Sequence, residues 1–177
     1  MLEALNPVNA YAGLIDFLET GGQVLFIIMI ATFVMWALIV ERFWFFSTGY
    51  GALAKRAKRA WEARTDHKSW YAHAVRERLL SEVRIEAERS LSLIKAMVAI
   101  APLLGLLGTV TGMVEVFDVM AVTGSSNARA MASGVSKATI PTMAGMVASL
   151  SGVFLSNVLD RRAKRSVEKL ADDLELQ

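Results

Sequence analysis

Residues 134–162 read GVSKATIPTMAGMVASLSGVFLSNVLDRR, with a lysine, a proline and a threonine ahead of an apolar run that stops at Asp160. From Ala138 to Leu159 the run carries no charge, and a spanning helix needs roughly 20 mainly apolar residues. Along it Ala138, Thr142, Gly145, Ser149, Gly152 and Ser156 recur at alternating steps of four and three. Every member of that seam is small or bears a hydroxyl. Helices in lipid associate by close packing rather than by excluding water, so a small seam predicts a helix–helix contact. Lys137 lies 24 residues before Arg161, about 36 Å at ~1.5 Å per residue. A hydrocarbon core of ~30 Å puts it at the outer interface, where its ammonium can reach water.

Two more runs meet the same test. Thr20 to Val40 is uncharged, and so is the interval between Lys95 and Glu115. Ala101, Gly105, Gly108 and Gly112 mark a small face on the second span, with Thr109 beside it. The first span is bulky, with Phe26, Phe33, Trp36, Phe43 and Trp44 among its residues, which suits a lipid-facing helix. Composition agrees: 54% of the 177 residues are apolar and mean hydropathy is +0.42, high for a water-soluble domain. The expected fold is all-α, an integral membrane protein with three transmembrane helices. Two long small seams exceed what one three-helix chain can satisfy. A homo-oligomer with spans two and three around a shared interior is therefore expected.

Lys and Arg crowd the segment after span one and the tail after span three, while the residues before Arg42 have none. The positive-inside rule then gives an N-terminus outside and a C-terminus in the cytoplasm. The expected divisions are an outer segment 1–20, spans 21–46, 96–121 and 135–159, a cytoplasmic helical region 47–95, a short outer loop 122–134 and a cytoplasmic helix 160–177. Leu14, Ile15, Phe17 and Leu18 fit either a short interfacial helix ending at Gly21-Gly22 or an ordinary polar lead-in. Ser69 is a candidate helix cap. From Trp70 no Gly or Pro occurs before Pro102, so span two reads as the upper part of one long helix. Arg78 and Glu82 can pair along it. The basic residues follow from topology, with anionic lipid as the alternative partner.

Chemistry is sparse. Cysteine is absent and there are two histidines, His67 and His73, too few for a zinc site. Neither a phosphate loop nor a nucleophile–base pair occurs, which argues against an enzyme, a cofactor or a nucleic-acid partner. Thr109, Thr142 and Ser149 are the candidate residues of a hydrated interior wall. Counted from the basic span ends, Thr142 stands about 28 Å and Thr109 about 21 Å above the inner boundary. Glu115 and Asp118 lie near the outer end of span two and are candidate partners for Lys137.

APLLGLLGTVTGM (101–113) and GVSKATIPTMAGMVASLSG (134–152) resemble the two membrane-helix signatures of the ExbB/TolQ/MotA proton-channel family. Short length and three spans look more like ExbB or TolQ than MotA, and KATIPTMAGM most like a short ExbB of a TonB energising system. The resemblance implies a pentameric ring around an ExbD-like single-span partner in the bacterial inner membrane. That partner would carry the protonatable aspartate, and a TonB-like protein would receive the work. It implies channel roles for Thr109 and Thr142 and helix-shaping roles for Pro102 and Pro141. Gly105, Gly108, Gly112, Gly145 and Gly152 fall to helix packing. Lys137 departs from the pattern, because many relatives hold a glutamate there; a pairing or gating role is expected of it. A TolQ-like envelope role and a non-conducting scaffold are the competing readings, and a solute transporter is disfavoured by the lack of internal repeats.

Overall fold

The structure is a computed structural model describing residues 7–67, 69–123 and 128–174, with side chains for 22–67, 69–122 and 131–174. The described residues contain helices and no strand. In order these are α1 (Pro7–Trp44), a π-helical turn (Phe45–Gly49), α2 (Tyr50–Glu62), α3 (Trp70–Glu88), α4 (Leu91–Thr123) and α5 (Ala128–Asp173). Three of the helical stretches are long and apolar enough to cross a membrane. The N-terminal part of α1 is helical up to Gly22, where φ of 66° and ψ of −164° interrupt the regular backbone. Glycine tolerates this left-handed value, which an L side chain resists. The side chains of Leu14, Ile15, Phe17 and Leu18 lie outside the described residues, as does the structure of 124–127 in the expected outer loop.

One expectation changes. The uninterrupted helix from Trp70 is two helices, because Arg89 is extended at ψ 138° and Ser90 takes φ 65°. Propensity gives no stop there, as neither Gly nor Pro is present. The apolar face does not call for the break, since the buried Val83, Ala87, Leu91 and Ile94 keep helical spacing across it. The Glu86 carbonyl, which a continuous helix would give to the Ser90 N–H, is taken instead by Arg42 at 3.0 Å. The Ile94 N–H already bonds the Ser90 carbonyl at 2.9 Å.

The chain divides into two compact units. The first comprises Met1–Met35 and Met97–Ser151 and holds the paired small faces of α4 and α5. The second comprises Trp36–Ala96 and Gly152–Gln177. Its core is built from Ile39, Trp61, Val83, Ile94, Leu159, Val167 and Leu170. Polar clasps reinforce it. Arg42, only 3% exposed, donates to both Glu41 carboxylate oxygens at 2.6 and 2.7 Å and to the Glu86 carbonyl at 3.0 Å. It thereby satisfies a carbonyl in the last turn of α3, where the helix leaves such groups unpaired. Arg76 does the same for α5, donating to the Ala171 and Leu174 carbonyls at 2.6 Å each. The Tyr50 hydroxyl donates to the Ser166 carbonyl at 2.5 Å, and burial followed by the nearby Asp173 charge raises its pKa. Ser69 caps α3 as its sequence suggests, accepting from the Ala72 N–H at 3.2 Å.

Candidate functional site

Within the first unit α4 and α5 run antiparallel with almost no side chain between them. A Cβ on Gly105 would lie 2.9 Å from the Thr142 Cα, and one on Gly112 would lie 2.7 Å from the Ala138 Cβ. A Cβ on Gly145 would lie 2.5 Å from the Ala101 carbonyl oxygen, and one on Gly108 would overlap the Pro141 ring. Gly105, Gly108 and Gly145 are buried and Gly112 is half-buried. Gly152 is buried in the second unit. From Val98 to Gly112 and from Ala138 to Ser149 the small seams are thus consumed against each other inside one chain, so over this length they do not by themselves call for the second copy that the sequence had suggested.

That approach puts hydroxyls within reach of the neighbouring backbone. The Thr142 hydroxyl donates to the Gly105 carbonyl at 2.7 Å, and the Ser149 hydroxyl donates to the Val98 carbonyl at 3.1 Å. Thr109 instead turns back on its own helix, donating to the Leu106 carbonyl at 2.7 Å, the usual habit of hydroxyls in membrane helices. In α4 geometry the Gly105 carbonyl is also the acceptor for the Thr109 N–H. One carbonyl therefore joins the two threonines. Their order along the pair reverses the sequence-based count. Thr142 stands level with Gly105, four residues toward the α4 N-terminus from Thr109. The basic ends of the two helices, Lys95 and Arg161, are not level in this register, so heights reckoned from each do not compare.

At about 100° per residue, Thr109 and Met113 on α4 and Thr142 and Met146 on α5 turn to one flank of the pair. On the other flank Val24 of α1 comes close to Gly108, 3.3 Å from where its Cβ would be. The threonines are half-buried at the edge of the α4–α5 contact. Lys137, Glu115 and Asp118 are all exposed, and no ion pair joins any of them to another among the described residues. By the same rotation Lys137 and Glu115 face the flank that α1 borders, away from the threonines. Pro102 is half-buried, and Pro141 is buried against Gly108.

In the second unit Asp160, the first residue beyond the apolar run ending at Leu159, is gripped by two lysines. Lys95 Nζ lies 2.6 Å and Lys164 Nζ 3.0 Å from its carboxylate oxygens. Hydrogen bonds from Lys95 and then Lys164 hold its pKa below the usual carboxylate value. The sequence signal was present, as Lys95 and Asp160 stand at span ends, but they served there only as boundaries.

Residues 48–172 match the MotA/TolQ/ExbB proton channel family. Over 96 residues the chain is 38% identical to "Biopolymer transport protein exbB1" of Vibrio cholerae serotype O1, covering 54% of this chain and 42% of that protein. Over 70 residues it is 41% identical to "Putative biopolymer transport protein ExbB-like 1" of Synechocystis sp., covering 38% of this chain and 28% of that protein. The chain thus spans less than half the length of these relatives. The family match covers most of the sequence, including α4 and α5 with both hydroxyl–carbonyl bonds, and three helices are fit to cross a bilayer. The chain is a multi-pass helical membrane protein and belongs to the MotA/TolQ/ExbB proton channel family.

Proposed function

We propose that this chain is an ExbB-like subunit of a proton-driven motor in the bacterial inner membrane, with its N-terminus periplasmic and its C-terminus cytoplasmic. In this reading it forms a ring around an ExbD-like single-span partner. The assembly couples the proton motive force to a TonB-like protein for outer-membrane uptake. The observation that carries it is the threonine flank. Thr109 and Thr142 share one side of the α4–α5 pair, on the side away from Val24. Both hydroxyl protons are committed to carbonyls, so each threonine turns oxygen lone pairs outward. A wall of acceptors can hold a water chain or a protonated carboxyl without itself ionising. The partner supplies the group that gains and loses the proton, and this chain supplies the polar surface past which it moves. One charge crossing 100 mV yields about 2.3 kcal/mol, so repeated transfers can drive a modest conformational step.

The test is proton flux into liposomes holding the complex of this chain with its co-expressed partner, under an imposed potential. Thr109→Val and Thr142→Val are each expected to cut flux about tenfold or more, equal to ~1.4 kcal/mol of barrier per factor of ten. Thr142→Ser, which keeps the hydroxyl, should retain flux. Wild-type flux in both valine variants would remove the threonines from the pathway, and absence of flux in the wild-type complex would leave a non-conducting scaffold as the better reading.

A further inference from the structure

Two prolines interrupt the hydrogen bonding of the membrane helices, and the chain treats them differently. Pro102 has no N–H, so the Val98 carbonyl four residues earlier loses its helical donor. Val98 is buried, and in lipid no water replaces the missing bond. Into that gap comes Ser149 of α5, donating at 3.1 Å. Thr109, Thr111, Thr139, Ser151 and Ser156 all turn their hydroxyls back on their own helices. Ser149 does not, and it meets the one α4 carbonyl that a proline has freed. Ser149 lies seven residues from Thr142, and Val98 lies seven from Gly105, so the two hydroxyl–carbonyl bonds belong to a single antiparallel register. Pro141 of α5 frees the Lys137 carbonyl in the same way, yet no side chain among the described residues donates to it.

We infer that Ser149 is a positioning residue whose hydroxyl replaces the N–H that Pro102 lacks, fixing the register in which Thr109 and Thr142 come together. Its role is therefore not that of a wall residue. The inference rests on the proposed function only for what that register serves.

A double-mutant cycle in the full chain tests it, using Ser149→Ala, Pro102→Ala, the double variant and Ser149→Thr. Two quantities are read: the unfolding equilibrium in detergent micelles, and proton flux of the complex with its partner. Ser149→Ala should shift the equilibrium about tenfold toward unfolding, equivalent to ~1.4 kcal/mol, and lower flux with it. Adding Pro102→Ala should restore the equilibrium to within about twofold, because an N–H at position 102 can then reach the Val98 carbonyl. Ser149→Thr keeps the hydroxyl and should match wild type in the equilibrium. A double variant as impaired as Ser149→Ala, or a Ser149→Ala equilibrium like wild type, overturns the inference. If Ser149→Ala cannot be recovered from membranes, the double variant decides: its recovery supports the inference and its loss overturns it. Absence of flux in wild type would count against the proposed function alone, since the equilibrium cycle still decides the role of Ser149.

Discussion

Ser149 and Thr142 make bonds of the same kind, and their loss should not cost the same. The Gly105 carbonyl keeps the Thr109 N–H when Thr142 is removed, so the lost bond should cost roughly 0.5–1.5 kcal/mol. The Val98 carbonyl has no helical donor left, and leaving it unsatisfied should cost about 1–3 kcal/mol. The freed carbonyl was legible in the sequence by counting back four from Pro102. Its donor was not, because spacing within one helix says nothing of the register between two. Asp160 carries a separate expectation. Its lowered pKa means that the Lys95 and Lys164 contacts contribute stability that is fully present above the unfolded carboxylate value, about 3.9. That contribution fades as pH falls below it toward the folded value. Thermal melting of wild type against Asp160→Asn should therefore show a gap that is steady from neutral pH to about 4 and closes below it. A gap that closed between about pH 7 and 5 would point to another group.

The α4–α5 contact is set by backbone proximity. A larger residue at Gly145 meets the Ala101 carbonyl, which is main chain and cannot rotate away. Gly145→Leu is expected to destabilise by at least the roughly 1–3 kcal/mol typical of overpacking and to raise amide hydrogen exchange along both helices. Gly51 in α2 is the matched control, with nothing within 4 Å of its Cβ position, and Gly51→Ala should be neutral or slightly stabilising. The seams that form this contact were readable from three- and four-residue spacing, and so were the spans and the Ser69 cap. The break at Arg89–Ser90 was not, because the Glu86 carbonyl that a continuous helix would need is taken by Arg42, 44 residues away in the chain. The clasps made by Arg42 and Arg76 were hidden for a related reason: each reaches a carbonyl on a helix distant in sequence.

Taken as a whole chain, the protein exposes Phe33, Leu103, Leu150 and Phe154 at 63–74%, surfaces that only lipid or further protein covers comfortably. Lys137 stands exposed on the flank away from the threonines, with no ion-pair partner among the described residues. If its partner belongs to another chain, Lys137→Ala should impair growth that depends on outer-membrane uptake while leaving the melting of the purified chain unchanged. Unimpaired growth would reduce the lysine to an interfacial anchor. The interlocked α4–α5 pair has a mechanical meaning as well. Its two hydroxyl–carbonyl rungs and its interleaved glycines share the same two helices, so an axial step of one along the other breaks them all together. Such a pair has no internal slip plane. Under the proposed function, any stroke then falls between its outer flank and the partner that moves against it. Met113 and Met146 line that flank, and their unbranched thioether chains reshape at little cost, as the liner of a bearing should.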